Sequence, residues 1–224
     1  MLYALLCIVC LLMATLLLFR ERDGFYVQAV VFKALASLCF VLLGFLCAWH
    51  VNWAKPAKLI VTGLLLGAAA DVLLNLRQVF REAGQTIFLV GILVFLSGHI
   101  VYLAAVLPRC PAPVPTALAA AALTAVLMWW IFRRITAKKA FKVFGIVYIG
   151  AIVFLNCVAI ANLIADASGF NRMFAAGAFL FLVSDIVLIL NTFGPENRFS
   201  LRFVNLGLYY AGQLTIALSC LLLP

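Results

Sequence analysis

Eight runs of about 20 apolar residues, parted by short polar breaks, fill this chain. A helix of that length, rising 1.5 Å per residue, crosses roughly 30 Å of hydrocarbon. Lipid offers no partners for an open backbone, so spans of this kind form helices. The spacing predicts an all-α polytopic membrane protein with spans at about 2–19, 29–50, 56–76, 85–107, 114–132, 141–165, 172–192 and 201–223. RERDG at 20–24, NWAKPAK at 52–58, PRCPAP at 108–113 and FGPENRF at 193–199 punctuate it as loops do. With 224 residues so allotted, little remains for a soluble module, and the chain reads as one integral membrane domain over 1–224.

The first span has neither a basic leading region nor a small-x-small cleavage site, and is expected to be a retained helix rather than a signal peptide. The seven cysteines show no metal-ligand spacing; most lie inside spans and suit small apolar packing rather than disulfides. A net charge of +9 could suggest nucleic acid, but its distribution argues for no nucleic-acid partner. The odd-numbered loops hold eleven Lys and Arg against four in the even-numbered ones. That bias predicts odd-numbered loops in the cytoplasm and both termini outside. The short tails suit a bacterial inner membrane.

Two aspartates break the apolar spans: Asp71 in GLLLGAAADVLLNL and Asp185 in GAFLFLVSDIVLILNTF. A charge near the bilayer centre costs roughly 2.5–3.5 kcal/mol even on lenient insertion scales, so it usually faces a cavity and does work there. The two are 114 residues apart, and the same offset places Gly63 on Gly177 and Gly98-His99 on Gly212-Gln213. Four spans per copy would make this a parallel 4+4 internal repeat about an axis along the membrane normal. Chance matching in a Leu-, Ala- and Gly-rich chain is the alternative.

Counting inward from the odd-numbered loops at the helical rise gives a depth for each polar group. Lys33 lies ~7 Å in, Asp71 and Asp185 ~10 Å, Tyr209 and Tyr210 ~10–12 Å, Gln213 ~17 Å and His99 ~20 Å. Asn75 and Asn191 sit near the same mouth. These residues descend from one side, which predicts one polar pocket open to the cytoplasmic leaflet. Duller roles are open to each. Lys33 could snorkel, and His99 could bond between helices. The asparagines could terminate their helices, and Tyr102, Tyr209 and Tyr210 could simply pack. The aspartates could form a structural group with Lys33. Asp166, beside a Ser-Gly turn, reads as an interfacial loop residue.

The chain has no Gly-x-Ser-x-Gly elbow, no His-Glu-x-x-His and no phosphate-cradling glycine loop. Its two histidines cannot build a multi-histidine metal site. Acid–base chemistry by a carboxylate pair is what the inventory supports.

Five segments together resemble the YhhN family of eight-span lysoplasmalogenases: VFKALASL in span 2, the late aspartate of span 3, FLVGILVFLSGHIVY in span 4, SDIVLILNTF in span 7 and YYAGQLTIALS in span 8. The chain departs from the family in having Lys33-Ala34 for Lys-Pro and Ala70-Asp71 for Gly-Asp, neither of which removes a polar group. The resemblance implies hydrolysis of the vinyl ether bond of a lysoplasmalogen. The products would be a fatty aldehyde and glycerophosphocholine or glycerophosphoethanolamine. It implies a lysophospholipid substrate, membrane lipid as surroundings, and no metal or organic cofactor. Such a reaction needs a protonated acid, a negative charge near an oxocarbenium ion and a placed water. Asp71 and Asp185 are the expected pair, neither yet assigned as the acid. Lys33, with Tyr209 or Tyr210, is expected to hold the phosphate or keep one aspartate ionised. Gln213 and His99 would orient water. A lipid or small-molecule carrier using the same cavity is the main competing expectation, and a lipid-sensing scaffold a further one.

Overall fold

A computed structural model describes residues 1–137 and 139–223. All regular structure among them is helical: α1 (Leu2–Arg22), α2 (Tyr26–His50), α3 (Lys55–Val79), α4 (Gly84–Val106), α5 (Pro113–Phe132), α6 (Lys139–Ala165), α7 (Gly169–Phe193) and α8 (Phe199–Ser219). Single 3₁₀ turns extend α4 through Leu107–Arg109 and α8 through Cys220–Leu222. Each of the eight is long and apolar enough to span a bilayer, making this an integral, multi-pass membrane protein.

Several helices overrun the apolar runs that predict them by about one turn. α1 continues to Arg22 and α7 begins at Gly169, so Arg20, Arg22 and Arg172 belong to helices. Apolarity marks only the hydrocarbon segment, whereas backbone hydrogen bonding continues into the headgroup layer, which long basic side chains reach. Pro56 and Pro113 sit in the first turns of α3 and α5, where a missing N–H costs nothing.

Successive helices pack as antiparallel neighbours except at the α4–α5 junction, and α8 closes the bundle against α1, α2 and α3 while α4 meets α6. α8 is the least apolar of the spans and the most buried, because its polar side chains find partners only inside the protein. α5 lies at the edge and packs chiefly on α6.

Two helix pairs approach closely through glycine. A Cβ on Gly98 would lie 3.3 Å from the Gly63 carbonyl oxygen, drawing α4 onto α3. A Cβ on Gly212 would lie 3.0 Å from the Gly177 carbonyl oxygen, drawing α8 onto α7. Small residues at these crossings permit backbone contact in a setting without a hydrophobic driving force between helices. The Tyr102 ring fills the space a Gly63 side chain would need, which sets its hydroxyl toward α8.

Candidate active site

Helices α2, α3, α4, α6, α7 and α8 surround a cavity that opens at one end of the bundle. Its mouth lies where α3 and α7 end and where α4, α6 and α8 begin, which is the side of the odd-numbered loops. Asp71 from α3 and Asp185 from α7 both line it, and both are almost wholly buried.

Asp71 is held by three donors. The Lys33 ammonium lies 3.1 Å from Oδ1. Ser37 Oγ donates to Oδ2 at 2.6 Å, and Tyr209 Oη donates to the same oxygen at 2.7 Å. Lys33 and Ser37 stand one turn apart on α2, so a single helix face delivers both. A buried carboxylate is tolerable when its charge is paired and its lone pairs are filled, and Asp71 meets both conditions. Lys33 therefore does not snorkel: it is 4% exposed and points inward.

A relay backs this group. Gln213 Nε2 donates to Tyr209 Oη at 3.3 Å, and Tyr102 Oη donates to Gln213 Oε1 at 2.9 Å. The amide fixes the tyrosine from behind, one turn away on the same helix, and Gly63 makes room for Tyr102 to reach it.

Asp185 has a sparser setting. Tyr148 Oη on α6 donates to Oδ2 at 2.7 Å, and among the described residues Oδ1 accepts no hydrogen bond. Beside it on α7, Ser184 turns away and exchanges hydrogen bonds with Asn205 on α8, pinning these helices together.

A second ion pair braces the mouth. Arg202 on α8 grips Glu21 of α1 through Nε at 2.9 Å and Nη2 at 2.8 Å, and its Nη1 reaches Asn205 Oδ1 at 3.3 Å. Asn75 donates to the same Glu21 at 3.0 Å. The fork geometry of Arg suits this bidentate contact.

The residues singled out by depth separate into two groups. Lys33, Asp71, Asn75, Asp185 and Tyr209 line the cavity. Asn191, His99, Tyr210 and Gln213 do not. Asn191 bonds to Asn197 and to the Arg198 backbone N–H, ordering the α7–α8 loop. His99 packs among the rings of Phe95, Tyr102, Tyr148 and Phe181, with its centroid 4.6 Å from that of Phe181. Neither ring nitrogen has a hydrogen-bond partner among the described residues, and the Tyr210 hydroxyl has none. Residue counts give a distance from the mouth but not the direction a side chain takes around its helix axis, which is what separates the two groups.

Ser37, Tyr148, Glu21, Arg77 and Arg202 belong to the cavity or its walls and were not singled out from sequence. Tyr148 had a usable signal. It sits about seven residues in from loop 5–6, ~10 Å by helical rise, at the depth of both aspartates. Glu21 falls within the expected loop at 20–24 although α1 runs on to Arg22, and Arg202 falls at the start of the expected eighth span, where nothing local marks it as an ion-pair partner.

No solved structure matches the chain. Residues 28–220 match the model of the YhhN family, which takes in every helix that lines the cavity, and the chain belongs to that family.

Proposed function

We propose that this protein is a lysoplasmalogenase-like ether hydrolase, cleaving the vinyl ether bond of lysoplasmalogens by carboxylate acid–base catalysis. The observation that carries this reading is the placement of two buried aspartates on one cavity with unequal surroundings. Family membership supports it as well.

Vinyl ether cleavage begins with a proton placed on the outer alkenyl carbon, which leaves an oxocarbenium ion at the carbon bonded to oxygen. Water adds there and gives up a proton, forming a hemiacetal. The hemiacetal then breaks its bond to the glycerol oxygen, which takes a proton, releasing fatty aldehyde and glycerophospho-alcohol. Asp185, with one tyrosine donor and no partner on Oδ1 among the described residues, suits the proton carrier. Asp71, ion-paired and twice hydrogen-bonded, suits the fixed negative charge that stabilises the cation. Of the two roles open to Lys33, its ion pair supports holding Asp71 ionised. This division of labour between two carboxylates in different environments resembles that of glycosidases, which also pass through an oxocarbenium-like state.

The alkenyl chain would occupy the apolar part of the cavity lined by Ile92, Phe95, Leu188 and Leu206. With the odd-numbered loops cytoplasmic, the mouth would open to the inner leaflet of a bacterial inner membrane. A parallel duplication is part of the same reading, supported by the glycine crossings 63/98 and 177/212 at the offset of 114 residues.

The test is aldehyde release from lysoplasmenylcholine and lysoplasmenylethanolamine by detergent-purified protein, alongside Asp71→Asn and Asp185→Asn. The expected result is aldehyde from the wild type and a loss of about 10²–10⁴-fold in each variant. No aldehyde from folded wild type on either lipid would remove the hydrolase and favour the carrier.

A further inference from the structure

Among the described residues, three cations line the cavity: Lys33, Arg77 and Arg202. Two are already committed, Lys33 to Asp71 and Arg202 to Glu21. Arg77, in the last turn of α3, is different. Its guanidinium lies over the Phe88 ring, 4.5 Å from the centroid, and among the described residues it has neither a carboxylate nor a hydrogen-bond acceptor. A cation–π contact fixes the plane of the group without using its five N–H donors. Those donors stand at the mouth of the cavity, half-buried, and in the fork geometry that takes a phosphate bidentately.

The spacing agrees. Arg77 follows Asp71 by six residues, ~9 Å along the α3 axis. In a 1-alkenyl glycerophospholipid, six bonds separate the ether-bearing alkenyl carbon from phosphorus, about 7–8 Å when extended with bonds of about 1.5 Å. A phosphate on Arg77 would therefore set the ether at the depth of the aspartates. Phe88, Phe141 and Phe193 form a wall of rings beside it, with centroids 5.8–6.2 Å apart. All three rings line the cavity with Arg77.

We infer that Arg77 binds the phosphate of the lipid headgroup and sets the preference of this cavity for phosphate-bearing over neutral ether lipids. The inference rests on the hydrolase reading for the identity of the ether, while phosphate binding itself does not require turnover.

The experiment measures equilibrium binding of two saturated, uncleavable ether lipids to the full chain in detergent: 1-O-hexadecyl-glycerophosphocholine and 1-O-hexadecylglycerol. Wild type is expected to prefer the phospholipid by at least about tenfold, a difference typical of one charge-assisted contact. Arg77→Gln should erase the preference, and Arg77→Lys should retain part of it. Arg109→Gln, whose side chain lies over Phe170 on the opposite side of the bundle, should leave it unchanged. Equal binding of the two lipids by wild type would overturn the assignment, even if Arg77→Gln failed to fold. So would a preference that survives in a folded Arg77→Gln. Competition by inorganic phosphate alone, with equal affinity for the two lipids, would make Arg77 a free-anion site and also overturn it. Aldehyde release is followed on the same preparations. Phosphate preference without aldehyde retains the Arg77 site and removes the hydrolase reading; aldehyde without phosphate preference does the reverse.

Discussion

Asp71 and Asp185 line one cavity at matching depths, yet the protein surrounds them unequally. Asp71 has an ammonium and two hydroxyl donors, supplied by α2 and α8. Among the described residues Asp185 has one tyrosine, supplied by α6, and an oxygen that accepts no hydrogen bond. The same side chain is thus given two settings, and under the proposed hydrolase reading the first suits a fixed anion and the second a proton carrier. In a low-dielectric site the environment rather than the residue type decides the role.

The sharpest way to break this contrast is to neutralise each aspartate and measure stability as well as turnover. Both Asn variants should be nearly inactive. In Asp71→Asn, however, the Lys33 ammonium is left buried without a counter-charge, a loss of about 3–5 kcal/mol in unfolding free energy. Asp185→Asn strands no charge and should stay within about 1 kcal/mol of wild type, as read by denaturation in detergent. Equal destabilisation of the two would abolish the distinction.

Lys33→Met comes next. Removing the cation should lower turnover at least about tenfold while leaving apparent affinity for lysophospholipid unchanged, which a full kcat and KM determination separates. A large rise in KM with kcat intact would return the phosphate to Lys33. The tyrosines give a smaller effect. Tyr148→Phe deletes the one donor on Asp185 and should cost about tenfold in turnover, whereas Tyr209→Phe leaves Asp71 with Lys33 and Ser37 and should cost only a few-fold. The reverse order would undo the comparison. The smallest effect is expected at His99, outside the cavity. His99→Phe replaces an imidazole that has no hydrogen-bond partner among the described residues and sits among aromatic rings, and should leave turnover within about threefold and stability equal or raised, by aldehyde assay and thermal unfolding.

How much of this was legible beforehand follows from what each coordinate requires. The eight spans were legible because apolar length alone specifies them, and the ends erred where the helix leaves the hydrocarbon. The depth of Asp71, Asp185, Lys33 and Tyr209 was legible from residue counts. Azimuth was not, and so His99 and Gln213, though inside the bundle, do not line the cavity. Ser37 carried no signal, since a serine on an apolar helix usually bonds its own backbone. The Glu21–Arg202 pair spans 181 residues, and no local pattern announces a partner that remote.

That pair also bears on the order of assembly. At roughly 5–20 residues per second, synthesis of Arg202 trails that of Glu21 by on the order of ten to forty seconds. Through that interval Glu21 sits at the end of α1, near headgroups and water, where an unpaired carboxylate is cheap. Asp71, deep in the slab, would have no such shelter, and its counter-ion Lys33 is already on the preceding helix when it arrives. The charge that lipid tolerates least is thus matched inside the α2–α3 hairpin during insertion, and the one that can wait serves as the clasp of the finished bundle.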